Sequence, residues 1–259
     1  MNMKTRCGVW LVGLVFLPVF VFAEGTHLDI RLPAREAAQL KGAVKSVETD
    51  VCINVSDKHW KELEVYDETG NLLSDSNWNS DEELVNTSTN FYDENGCFYR
   101  HLYIDFEDHF TNDWKVILNP KTSQIAMKVD STGAIVVRTY SPEKRLISYR
   151  RLNKDKKLMS ASRSKRNEKG LRTQYIKYDE KNRPLYTYYF KWKENGLIDK
   201  ERQRYHQEKK ERLHTYEYLA IDKQGNWTQE LMVRYDIGGK KKERVFEQTT
   251  IRKIKYFKK

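Results

Sequence analysis

A chain of 259 residues with 39% hydrophobic residues and a mean hydropathy of -0.82 is too polar for a bundle of membrane helices. Its 12% aromatic content exceeds what a disordered chain carries. The chain folds, but around a thin core, and a single sheet layer with one wet face meets that composition. The formal charge of +10 is unevenly placed: residues 24–137 hold 10 Lys and Arg against 21 Asp and Glu, and residues 138–259 hold 35 against 16. An acidic part is thus followed by a strongly basic one, which would attract polyanions; its plainer use is solubility.

In chain order, Lys4 and Arg6 precede an uncharged stretch from Cys7 to Ala23, rich in Val, Leu and Phe and closed by Val21-Phe22-Ala23. That pattern is a secretory signal peptide with cleavage after Ala23. It is too short for a spanning helix, which needs about 20 apolar residues, and Pro18 interrupts it. The mature chain is therefore expected to start at Glu24, to be exported to the periplasm or secreted, and to hold no further transmembrane segment. Two cysteines survive processing, Cys52 and Cys97. In an oxidising compartment an even pair predicts a disulfide between them.

Glu24 to Pro33 reads as an extended lead, and Ala34 to Leu40 as a helical turn or two ended by Gly42. From there one turn recurs: Tyr66-Asp67-Glu68-Thr69-Gly70-Asn71, Tyr92-Asp93-Glu94-Asn95-Gly96-Cys97, Tyr178-Asp179-Glu180-Lys181-Asn182-Arg183 and Ile221-Asp222-Lys223-Gln224-Gly225-Asn226, with weaker copies at Gly133, Gly170, Gly196 and Gly239. Each ends a strand on an aromatic or apolar residue, supplies Asp or Asn to bond the turn backbone, and then places Gly or Asn where φ is positive. Between turns the pattern alternates with period two. Tyr186, Tyr188, Phe190 and Trp192 share one face of their strand, and Leu185, Thr187, Tyr189 and Lys191 share the other. Gly170, Asn182 and Gly196 are 12 and 14 residues apart, a strand plus a tight turn. The expected fold is all-β: an antiparallel meander of repeated hairpins, roughly 11 to 14 strands, forming an open, curved sheet or partial barrel. Residues 24–259 read as one β-repeat domain. Tyr103 to Lys121 breaks the rhythm and reads as a longer loop or an irregular hairpin.

The opening Leu40-Lys41-Gly42-Ala43-Val44-Lys45-Ser46-Val47, the repeated Tyr-Asp-x-x-Gly-Asn turns and the late Gly225-Asn226-Trp227-Thr228 resemble uncharacterised exported bacterial proteins with degenerate tyrosine-aspartate (RHS-like) repeats. The resemblance covers most of residues 40–236. It implies the β-hairpin fold class and transfers no functional residue.

Motifs of catalysis are absent: there is no serine nucleophile elbow, phosphate loop or dinucleotide fingerprint, so no cofactor is expected and the chain does not read as an enzyme. The six histidines, His27, His59, His101, His109, His206 and His214, are scattered. Asp105, Glu107, Asp108 and Asp113 supply hard oxygen ligands without the spacing of a calcium loop, so no metal is assigned. What stands out is an interleaving of aromatic and basic residues: Tyr186, Tyr188, Phe190, Lys191, Trp192, Lys193, Arg202 and Arg204. Exposed rings stack on sugars, and Lys and Arg neutralise phosphate or carboxylate; alternatively the rings are the sheet's own cross-strand packing. For an exported protein, an anionic envelope glycan, a lipid surface or an acidic protein suits this set better than nucleic acid. The reading is a non-catalytic binding protein of the bacterial envelope. The alternatives are a periplasmic carrier or chaperone of amphiphiles in a curved sheet, and a hydrolase with carboxylates gathered from distant strands.

Overall fold

The computed structural model describes residues 40–53, 58–94, 98–117, 124–129, 132–141, 145–238 and 241–258. The signal peptide, the extended lead and the expected helical stretch, apart from Leu40, lie outside the described residues. The strands are β1 (Val44–Ile53), β2 (Lys58–Tyr66), β3 (Leu72–Trp78), β4 (Leu84–Tyr92), β5 (Phe98–Asp105), β6 (Phe110–Val116), β7 (Gln124–Val129), β8 (Ile135–Tyr140), β9 (Leu146–Leu152), β10 (Leu158–Arg166), β11 (Arg172–Tyr178), β12 (Pro184–Trp192), β13 (Ile198–Tyr205), β14 (Lys210–Ile221), β15 (Trp227–Gly238) and β16 (Lys241–Tyr256). Each pairs antiparallel with the next. β16 returns to pair with β1, from Val44 opposite Tyr256 to Ile53 opposite Gln248, and closes the barrel. The described residues contain no helix.

The meander is as expected, but two expectations are corrected. The sheet does not stay open or partial: with β1 and β16 zipped along their length, neither edge strand presents free backbone donors and acceptors. There are also more strands than the turn signals indicate. At Asp67–Asn71 the Asp67 N–H donates to the Asn71 carbonyl (2.9 Å), the Gly70 N–H to the Asp67 carbonyl (3.0 Å) and the Asn71 N–H to Asp67 Oδ1 (2.8 Å). The same bonds form at Asn79–Glu83 and Asn153–Lys157. There the residue with positive φ is Glu82 or Lys156, both at 62°, where Gly70 has 92°. A search for Gly at the fourth position passes over both turns. The described part of the Tyr103–Lys121 segment is also more regular than expected, with β5 and β6 pairing from Arg100–Lys115 to Asp105–Phe110.

Alternation assigns the two faces of the wall. Val47, Thr49 and Val51 of β1, Val136, Arg138 and Tyr140 of β8, Glu201 and Gln203 of β13, and Gln248, Thr250 and Arg252 of β16 are all buried. In a closed barrel this continuous buried face is the inner one. It carries three apolar clusters: Val44, Val47, Tyr66 and Leu72 with Leu40; Phe98, Met127, Val136, Tyr140 and Leu146; and Tyr175, Tyr188 and Phe190. Fully burying a Val, Leu or Phe contributes about 1.5–3 kcal/mol. The clusters therefore stabilise the fold as separate patches of a thin core, as the low apolar content requires.

The seam has its own clamp. Asn226, at the end of the β14–β15 turn, accepts from the Lys41 N–H (2.7 Å), and its Nδ2 donates to the Lys41 carbonyl (2.9 Å) and the Tyr256 hydroxyl (2.8 Å); that hydroxyl donates to Asp222. One side chain thus ties the segment before β1 to the last strand and the last rim turn. Asn226→Ala should lower stability by about 1–3 kcal/mol, because the three hydrogen bonds of this buried side chain are lost together. An unchanged urea midpoint would show that the clamp is dispensable.

Cys52 is an exposed thiol on β1. Cys97 lies outside the described residues.

Candidate functional site

The eight aromatic and basic residues singled out by the sequence do not form one surface. Tyr186, Tyr188, Phe190 and Trp192 point inward from β12. Tyr188 meets Tyr186 edge-on at 5.3 Å between centroids and stacks on Phe190 at 6.1 Å, and Tyr175 of β11 lies 6.0 Å from Tyr188. Gln203 Nε2 donates to the Tyr188 hydroxyl (2.6 Å), and the Trp192 indole donates to the Arg172 carbonyl (2.7 Å). Burial, with Glu201 nearby, raises the Tyr188 hydroxyl pKa. These rings are the wall's own packing. Lys193 sits in the β12–β13 turn, where its ammonium donates to the Tyr216 carbonyl (3.3 Å) and covers the Tyr218 ring at 4.9 Å.

Lys191, Arg202 and Arg204 lie on the opposite, outer face. Register sets them in rows across four strands: Lys165–Gln174–Tyr189–Arg202, Arg163–Ile176–Thr187–Arg204, and Lys191 opposite Lys200. The aromatic among them is Tyr189, 44% exposed, flanked in register by Gln174 and Arg202. Period-two alternation already places Tyr189 on the Lys191 face of its strand, outside the eight residues singled out. Two carboxylates answer this charge: Glu211 accepts from Arg202 Nε (3.0 Å) and stands 3.8 Å from Arg204, and Asp199 stands 3.5 Å from Lys191. Arg163, Lys165 and Lys200 are exposed. An anion approaching this face meets several solvated cations around one ring.

The charge asymmetry of the sequence becomes an asymmetry between arcs of the barrel. No residue of the six consecutive strands β7 to β12 is acidic. Elsewhere the inner face holds carboxylates: Glu62 and Glu64 of β2, Asp75 of β3, Glu201 of β13 and Glu230 of β15. Burial, then the neighbouring Glu64 and Asp75 charges, push Glu62 well above the usual carboxyl range. Burial pushes Glu230 up to about 7 despite Arg252. Arg252 stacks its guanidinium on the Trp227 ring at 3.7 Å. Glu201, 0% exposed, meets His214 Nδ1 at 3.0 Å. Of the acids in the Tyr103–Lys121 segment, Asp105 accepts from the Tyr103 hydroxyl (3.1 Å) and the Asp108 N–H (2.8 Å), while Asp113 forks with Arg100 (2.9 Å).

No known protein family and no curated protein matches the chain. Among solved structures it is similar to a porin-like protein from Bacteroides uniformis, at 14% identity and a TM-score of 0.57, over 83% of this chain and 99% of the other. A DUF1329 family protein from Desulfovibrio piger matches over 88% of this chain and 91% of its own, at 10% identity and a TM-score of 0.30. A TcdB2-TccC3-Cdc42 structure matches 74% of this chain at 14% identity and a TM-score of 0.28, and the chain spans 10% of that structure's length. The first likeness shows the fold: an all-β, closed barrel.

Proposed function

We propose that the chain is an exported, non-catalytic binding protein of the bacterial envelope that presents the outer wall of β10–β13 to an anionic polymer. The observation that carries this reading is the set of register rows placing Arg163, Lys165, Lys191, Lys200, Arg202 and Arg204 around the exposed Tyr189, answered by Glu211 and Asp199. Cations on one wall attract a polyanion, and a ring among them stacks on a sugar face.

The outer wall supports a barrel standing in water. Glu48 and Asp50 of β1, Arg163 of β10 and Arg202 of β13 lie outward in mid-strand. A Lys or Arg on the lipid face of a barrel costs about 2–4 kcal/mol at the bilayer midplane. A spanning strand needs about 9–11 residues, whereas β7 and β8 have 6 each. No helix of the described residues is long and apolar enough to cross a membrane.

The test uses lipoteichoic acid and lipopolysaccharide as probes, with the quadruple Lys165, Lys191, Lys200 and Arg204 to Gln variant beside the native protein. At about 1 kcal/mol per cation near an anionic surface, the variant should bind on the order of 1,000-fold more weakly at low salt. Native binding should fall steeply between 0.1 M and 1 M salt, as the Debye length shrinks from about 10 Å to about 3 Å. Tyr189→Ala should weaken binding to the glycan without changing that salt dependence. Equal binding by native and quadruple variant would sink the proposal.

A further inference from the structure

We infer that the inner face of β8–β11 is a second, separate site, for a tetrahedral oxyanion such as a phosphate or sulfate monoester. It is built on Arg138 and Arg151. Arg138 is 9% exposed, its Nε is buried without a hydrogen-bond partner, and its guanidinium lies 5.9 Å from the Tyr149 ring. The Nε of Arg151 is likewise buried without a partner. The two are diagonal neighbours on one face: Arg138 stands opposite Tyr149, and Arg151 opposite Val136, two residues along β8. Ser162 and Ser160 of β10 stand opposite Tyr149 and Arg151, and Lys177 of β11 stands opposite Ser162 with its ammonium 5.5 Å from the Tyr149 ring. Three cations and two hydroxyls therefore share one inner strip.

Buried arginines are almost always paired, because an uncompensated charge out of water is costly. The strands of this arc supply no counter-charge, since β7–β12 contain no acidic residue. Arginine forks match the paired oxygens of a phosphate or sulfate, and serine hydroxyls complete the set of donors. Exposure along the strip rises toward one rim: Arg151, Ser160 and Lys177, near the turns at 153–157 and 179–183, are half-buried while Arg138 and Ser162 are buried. Deeper in, it adjoins the cluster of Phe98, Met127, Val136, Tyr140 and Leu146. That apolar floor suits an oxyanion carried on an alkyl chain.

Inorganic phosphate and decyl phosphate below its micelle concentration, titrated separately into the native protein by calorimetry, distinguish a free anion from a lipid head group. Saturable binding of either supports the site. Binding of both, with decyl phosphate at least 10-fold tighter, places the chain on the apolar floor. Arg138→Gln and Arg151→Gln should each weaken phosphate binding at least 10-fold and together abolish it. Arg138→Lys, which keeps the charge and loses the fork, should retain part. The outer-wall variant Arg204→Gln should leave phosphate binding unchanged, so this site and the outer wall fail or stand independently. No binding of either probe by the native protein, or unchanged binding by a folded Arg138→Gln, Arg151→Gln double variant, would overturn the assignment.

Discussion

Replacing His214 with alanine is expected to cost about 1–3 kcal/mol of folding stability, because a fully buried carboxyl loses its hydrogen-bond partner. Glu201 is 0% exposed and has one oxygen, Oε1, on His214 Nδ1 at 3.0 Å, while Oε2 has no hydrogen-bond partner. Without the imidazole, the whole carboxyl is left among Phe190 in register on one side and the alanine on the other. Removing both partners together is a different case. The Glu201→Met, His214→Met variant strands no polar group, so its stability should lie within about 2 kcal/mol of the native protein. Urea unfolding of the two single variants and the double variant gives the coupling energy directly. A loss below about 1 kcal/mol in His214→Ala would show that Glu201 does not depend on that imidazole.

The pair also shows where sequence reasoning stops. Glu201 and His214 are thirteen residues apart in neighbouring strands, and only the register across the β13–β14 hairpin sets them opposite one another. Alternation within Lys200 to Arg204 separates Glu201 and Gln203 from Arg202 and Arg204, but it does not say which side is wet. In a chain this polar, both faces carry charge, so the usual signal of an apolar inner stripe is weak.

The turn repeat was legible because its chemistry is local: Asp67, Asp179 and Asp222 each accept the N–H four residues on. Closure was not, because the pairing of Val51 with Thr250 joins residues almost two hundred positions apart and leaves no mark on either segment. The functional set failed for a narrower reason. Tyr186, Tyr188, Phe190 and Trp192 were grouped with Lys191, Arg202 and Arg204 by nearness in sequence, whereas a strand sends neighbours to opposite faces. Applying that rule to the same residues moves the aromatic role to Tyr189.

Glu230 sets the expected dependence of stability on pH. Its carboxyl is buried on β15 at the level where Thr250 and Tyr218 flank it in register, and burial holds its pKa at about 7 against an ordinary 4.5. Below pH 4.5 it is protonated in both folded and unfolded chains and contributes no pH dependence. Between pH 4.5 and 7 the unfolded chain releases the proton while the folded chain keeps it, so the folded state binds more protons and stability falls as pH rises, by about 1.4 kcal/mol per unit. The total loss from this group is on the order of 3 kcal/mol, complete above pH 7, and Glu62, raised for the same reason, adds in the same direction. Asp113, held down by the Arg100 fork, and Asp179, held down by the Arg183 N–H, work oppositely, losing stability as pH falls below their ordinary range. Stability should therefore peak near pH 4–5 and decline toward neutrality. Glu230→Gln keeps the size and neutral state of the side chain and should remove most of the decline between pH 5 and 7. Urea midpoints at constant ionic strength measure it, and parallel pH profiles for native protein and variant would mean that Glu230 ionises in the fold as it does in water.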